Sequence, residues 1–199
     1  ALGAQMRALR YQINPHFLFN TLNSIAGLIE EGAATQAERM VLSLSTFLRT
    51  TLALDPFHDV PLAEEIALQE EYLGIERERF SDRMSFTIDV EADAAEALVP
   101  SLILQPLIEN AIKHGVGTTR GEVAIDLHGY RQGERLCIAI VNDMPGKDIA
   151  VASPVGVGVG LKNVADRLQA RFGDTCAIRS GPVADGRFRV LLELPWRIA

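Results

Sequence analysis

Apolar residues recur at helical spacing through the first eighty positions, then switch for most of the remainder to the alternation of strands. That change of period demands two architectures in one chain, a helical part followed by an α+β part. Leu18, Leu22, Ile25 and Ile29 form one helical stripe with Phe17, Thr21 and Leu28 beside it. The helix is expected from about Leu2 to Glu31, with Gly32 as its stop. A second helix is expected from about Thr35 to Leu54, with Met40, Leu44, Phe47, Leu48 and Leu52 as its apolar stripe. Thr35 and Glu38 read as a capping box, and Asp55-Pro56 ends the run. Two antiparallel helices alone would expose a long apolar stripe, so a second copy is expected to complete a four-helix bundle.

A third helix is expected from about Leu62 to Phe80. Strands follow at Met84 to Val90, Val123 to Tyr130, Leu136 to Val141, Cys176 to Ser180 and Arg187 to Leu194. Gln132-Gly133 and Asp185-Gly186 supply hairpin turns, and helices are expected over Pro100 to His114 and Leu161 to Phe172. The fold class is therefore α+β: a helical hairpin, then a sandwich of a mixed sheet with helices on one face. The divisions fall at 1–58 for the hairpin, 59–82 for a connecting helix and 83–199 for the sandwich.

Charge narrows the partners. With 19 basic and 26 acidic residues the net charge is −7, which argues against a broad grip on nucleic-acid phosphate. The two cysteines, Cys137 and Cys176, lie far apart and outside any CxxC spacing, which argues against a disulfide framework or zinc site and fits a reducing compartment. No apolar run approaches the roughly 18 residues of a bilayer span. No signal peptide is visible, and the opening Ala-Leu-Gly reads as mid-pattern, as in a piece of a longer chain.

Four stretches carry chemistry. In the first, Gln12 to Asn23, a helical wheel places Gln12, His16, Asn20 and Asn23 on one stripe, with Pro15 expected to bend the helix one residue before His16. A neutral imidazole presented away from the local core is nucleophilic and can accept a phosphoryl group; the bland alternative is a surface histidine beside a tolerated proline. In the second, Leu104 to Gly115, an apolar arc of Ile103, Leu104, Leu107, Ile108 and Ala111 opposes Glu109, Asn110 and Lys113. An Asn carbonyl suits Mg²⁺, a Glu beside it can deprotonate a nucleophile, and a Lys offsets phosphate charge. The bland alternative is a solvated helix face.

The third stretch, Gly156-Val157-Gly158-Val159-Gly160-Leu161-Lys162-Asn163, opens a helix, where backbone N–H groups can approach phosphate. It has neither P-loop spacing nor the strand–glycine–helix context of a dinucleotide site. The fourth ends a strand at Asn142-Asp143-Met144-Pro145-Gly146. Asn142 shares the parity of Leu136, Ile138 and Ile140 and could meet a base edge, whereas Asp143 points to the opposite face.

Together these stretches resemble sensor histidine kinases of the LytS/YehU type, with a GHKL-type ATP-binding domain. The run from Gln12 to Ile25 resembles the family's phosphoacceptor box, Leu104 to Gly115 its N box, and Gly156 to Asn163 its second glycine box. Val60 to Phe80 resembles its connecting region. The resemblance implies autophosphorylation of His16 from Mg-ATP, then transfer to an Asp of a response-regulator receiver domain. It implies that Glu109 assists the nucleophile and that Asn110 holds Mg²⁺. Lys113, His114, Asn142, Asp143, Gly146, Gly158, Gly160 and Leu161 complete the implied nucleotide site. It further implies a homodimer, a cytoplasmic portion of a parent anchored in the inner membrane, and a sensor region outside this chain. Two positions depart from the family: Asn142 stands where the first glycine box carries Asp, and Met144 where it carries Gly. The competing readings are a catalytically silent, dimeric nucleotide-binding scaffold and an ATPase clamp, for which the phosphoacceptor box has no use.

Overall fold

The computed structural model describes residues 14–55, 57–80, 83–116, 121–144 and 159–198. Helices α1 (Pro15–Glu30) and α2 (Ala34–Ala53) form the hairpin. Gly32, at φ +77°, makes the turn between them. Thr35 lies inside α2 instead of capping it. Ala33 is the cap, without a side-chain hydrogen bond, and its carbonyl accepts from the N–H groups of Gln36 and Ala37. Within the chain the hairpin buries Phe17, Thr21 and Ile25 against Ala37, Met40, Leu44 and Phe47. Three residues of the expected stripes, Leu22, Ile29 and Leu52, are exposed instead.

Strand β1 (Asp59–Pro61) leads into α3 (Leu62–Phe80), which packs on the hairpin. There Tyr72 stacks on Phe17 and Phe47, with centroids 4.8 and 5.6 Å away. After β2 (Met84–Val90) come a four-residue helix, α4 (Ala92–Ala95), and β3 (Leu98–Pro100). The antiparallel β1–β3 pair clips the start of α3 to the second half of the chain, and the sequence pattern gave no sign of it. Asp59 strengthens that clip with Arg171 at 2.8 Å and Arg197 at 2.7 Å.

The helix expected from Pro100 begins only at Gln105: α5 spans Gln105–His114. Residues 101–104 are a buried turn with Leu102 at φ +61°. The remaining elements are β4 (Val123–Gln132), β5 (Arg135–Asp143), α6 (Val159–Phe172), β6 (Ala177–Val183) and β7 (Arg187–Pro195). They form a mixed five-stranded sheet in the order β2-β4-β5-β7-β6, parallel only at β2–β4. Cross-strand partners Leu127, Ile140 and Val190, and likewise Ile138 and Leu192, lie on its buried face. The apolar sides of α5 (Leu107, Ile108, Ala111) and α6 (Leu161, Val164, Leu168) join the same core. The sandwich class read from alternation is the one observed.

Candidate functional site

The start of α1 sets the position of His16. Asn14 is the N-cap, extended at φ −67° and ψ 113°, and its Oδ1 accepts the His16 N–H at 3.0 Å. Pro15 is the first helical residue, where the missing N–H costs nothing. Proline also pushes the residue before it out of the helical region, so among the described residues the helix begins at Pro15 instead of bending there. Gln12 and the expected earlier turns lie outside the described residues. The His16 ring is exposed, with Asn20 Nδ2 at 3.1 Å from Nδ1 and 3.3 Å from Nε2. Phe17, next in sequence, turns inward to the Phe47–Tyr72 pair and fixes the rotation of this first turn.

Helix α5 brings Glu109 to the same place. Its Oε2 accepts from Asn14 Nδ2 at 3.2 Å and its Oε1 from Gln105 Nε2 at 3.1 Å. Burial raises the Glu109 pKa above the ordinary carboxylate value, while the two amide donors act against that rise. Behind it, Glu76 of α3 is only 1% exposed and pairs with Arg79 at 2.8 Å. Burial pushes Glu76 up to about 7; Arg79 and the Tyr72 hydroxyl oppose this, and the charge of Glu109 adds to it. Glu109 therefore stands between Asn14, the residue that caps the His16 helix, and a buried acid.

A second buried acid holds the start of α5. The Glu65 carboxylate accepts the N–H groups of Leu102 and Leu104, and Arg167 donates to the Ser101 carbonyl at 2.7 Å. These bonds hold Leu102 in a left-handed conformation that a leucine adopts at a cost of order 1 kcal/mol. At the other end, Gly115 admits no side chain: a Cβ there would lie 2.8 Å from Val123 Cγ1 and 2.9 Å from the Ala111 carbonyl. Asn110 and His114 are half-buried and Lys113 is exposed.

The nucleotide-side residues separate on inspection. Asn142 is buried on the helix-covered face of the sheet, and its Nδ2 donates to the Asp143 carbonyl at 3.0 Å. Asp143 does not stand open at the end of its strand. Its carboxylate accepts from the Ala124 N–H at 2.8 Å and Arg187 Nε at 2.9 Å, so it clasps β4, β5 and β7 together. Gly160, expected in the glycine loop, lies in the first turn of α6, where a Cβ would be 3.9 Å from Pro106 of α5. The start of α6 thus lies beside the start of α5. The Leu161 side chain is in the core, which leaves its backbone N–H as the group it can offer a ligand. Gly146 and Gly158 lie outside the described residues.

Residues 4–84 match the model of the histidine kinase family. Residues 96–198 match the family described as histidine kinase-, DNA gyrase B-, and HSP90-like ATPase. The chain belongs to the histidine kinase family. It is 37% identical over 194 residues to the sensor histidine kinase BtsS of Escherichia coli, covering 98% of this chain and 34% of that protein. It is 34% identical over 194 residues to the sensor histidine kinase YesM of Bacillus subtilis, covering 97% of this chain and 33% of that protein. This histidine kinase chain thus spans about a third of the length of those relatives. Its fold is similar to the histidine kinase domain of a blue-light activated histidine kinase from Erythrobacter litoralis, with a TM-score of 0.52 and 16% identity over 96% of this chain and 93% of that one. The catalytic domain of histidine kinase ThkA gives 0.52 and 17% identity over 70% of this chain and 95% of that one.

Sequence reasoning placed His16, Glu109 and Asn110 correctly on their helices. It gave no role to Asn14, Gln105, Glu65, Tyr72 or Glu76. The spacing of the last three, with Gln69, at 65, 69, 72 and 76 puts them on one face of α3, and all four are buried. The period was readable, but a polar stripe carries no mark of being buried.

Proposed function

We propose that this chain is the catalytic portion of a two-component sensor histidine kinase that phosphorylates His16 from Mg-ATP. One observation carries the reading: the helix presenting an exposed His16 begins in hydrogen-bond contact with the helix bearing Glu109 and Asn110. The unprotonated ring nitrogen of His16 attacks the γ-phosphorus in line, the bond to the β,γ-bridging oxygen breaks, and ADP leaves. As the N–P bond forms, the remaining ring N–H becomes acidic and the Glu109 carboxylate takes its proton. Positioning and charge neutralisation account for most of the acceleration.

Asn110 would hold Mg²⁺ through its side-chain carbonyl. The chemistry fits, since Mg²⁺ carried on ATP takes one or two protein oxygens and completes its shell with phosphate and water. Bound there, Mg²⁺ neutralises phosphate charge. Lys113 and His114 face the phosphates, as do the backbone N–H groups of Gly160 and Leu161, with Gly146 and Gly158 in the adjoining glycine boxes. Asn142 meets the adenine edge through its amide oxygen, a neutral acceptor in place of a charged one. Asp143 serves the site indirectly, by fixing the end of β5.

The phosphoryl group then passes to an Asp of a response-regulator receiver domain. Residues 1–58 act as the dimerising phosphoacceptor part, 59–82 as connector and 83–199 as the ATP-binding part, in a homodimer on the cytoplasmic side of an inner-membrane parent. Supporting the dimer, Phe19, Leu22, Val41 and Leu42 stand exposed on the hairpin. Among the described residues no helix is long and apolar enough to cross a membrane.

The test is incubation with Mg-ATP labelled at the γ-phosphate. Acid-labile, base-stable label is expected on the wild type and absent from His16→Gln and Asn110→Ala. Glu109→Gln should be slowed by about 10²–10⁴-fold, the usual contribution of a general base. Unlabelled wild type that still binds ATP in calorimetry would replace this reading with the silent scaffold.

A further inference from the structure

We propose that Asn14 is a positioning residue that couples the His16 helix to Glu109 through the two ends of its carboxamide. The proposal rests on the kinase reading above. The oxygen of Asn14 accepts the His16 backbone N–H at 3.0 Å, and its nitrogen donates to Glu109 Oε2 at 3.2 Å. The orientation of the amide is forced, because an N–H needs an acceptor and a carboxylate needs a donor. One side chain thus spans from the backbone of the phosphoacceptor to the group that takes its proton.

The residue type matters more than its capping role requires. Asp and Ser cap helices about as well as Asn. Asp has no donor and would set a second carboxylate against Glu109. Ser is one bond shorter and cannot span the two partners from the cap position. Asn alone among the strong caps can accept at one end and donate at the other.

Two further contacts make the coupling stiff. Phe17 seats the same helical turn between Phe47 and Tyr72. Gln105 holds the other Glu109 oxygen at 3.1 Å, so both oxygens are fixed and the carboxylate cannot rotate freely. The docked helix start and the carboxylate are therefore tied to one another through a single side chain. Misplacement of a reacting group by about 1 Å can cost on the order of 10²-fold in rate, which is the scale on which such a tether acts.

The experiment compares autophosphorylation of the wild type with Asn14→Ser and Asn14→Asp, which keep the cap but leave no donor that reaches Glu109. Rates are measured at saturating Mg-ATP, with ATP affinity from calorimetry and folding from thermal melts. Phosphorylation of His16 by phosphoramidate, which needs no Glu109, reports on the imidazole itself. The expected result is a maximal rate lowered about tenfold or more in Ser and further in Asp, with ATP affinity and phosphoramidate reactivity unchanged and a single cooperative melt retained at a lower melting temperature. If both variants match the wild-type rate, Asn14 is a helix cap only and the proposal fails. It fails equally if the rate falls because ATP affinity is lost. An unlabelled wild type would overturn the kinase reading and this inference together, whereas labelled wild type with unaffected variants overturns the inference alone.

Discussion

Glu76 is a buried acid whose titration is displaced into the neutral range. An ordinary Glu titrates near 4.5, and burial pushes this one up to about 7. Between those values the unfolded chain has lost the proton that the folded chain keeps. The folded state therefore binds more protons, and stability falls as pH rises through this window, levelling off above about 7. The full difference is worth up to about 3 kcal/mol. Glu109 is shifted in the same direction and adds to the trend. Glu76→Gln mimics the protonated acid at every pH and removes its share of the slope. Denaturant melts at pH 5 and pH 8 should show the variant gaining on the wild type at the higher pH only. Parallel pH slopes in the two proteins would refute a perturbed Glu76.

Helix α5 illustrates how an element is held by a side chain from another. Glu65 accepts two backbone N–H groups in the turn before α5, and a carboxylate is the side chain that can accept both without offering a competing donor. Glu65→Gln would place an N–H₂ group against one of those donors. A loss of about 2 kcal/mol in stability is expected, measured by urea unfolding, together with weakened ATP binding as α5 loses its seat. The same element marks the limit of what pattern reading resolves. From Gln105 onward the apolar period located the helix and its polar face. Before it, Ile103 and Leu104 fit the same apolar arc although they lie in the turn, and Leu102 at φ +61° leaves no trace in residue type. Pro15 reads as a bend in the sequence, but a proline can equally mark a beginning, and Asn14 makes it one by capping α1. Asp143 was legible as a strand-end residue, but its partner Arg187 is 44 positions away. What the sequence concealed were long-range polar pairings, because period and propensity describe neighbours along the chain.

At the scale of the whole molecule, two surfaces answer different questions. The hairpin face with Phe19, Leu22, Val41 and Leu42 is the one a second copy would cover, and apolar area of that kind drives helix pairing. The contact between Asn14 and Glu109 lies within one chain, and on the proposed reading it lets His16 be served by its own ATP-binding half. The two roles can be separated in one variant. Leu22→Asp with Leu42→Asp places carboxylates where a single chain meets water, at little cost to its own fold, but where a dimer would bury them unpaired. Sedimentation should show the wild type as a dimer and the variant as a monomer. The monomer should still acquire label on His16, at a rate per molecule that does not change on dilution. Label that vanishes with the dimer would mean that the partner's ATP-binding half serves His16, and that the in-chain contact between Asn14 and Glu109 is not the reactive one. A first-order rate in a monomer would instead leave the helical interface to assembly and assign the phosphorylation of His16 to its own chain's ATP-binding half.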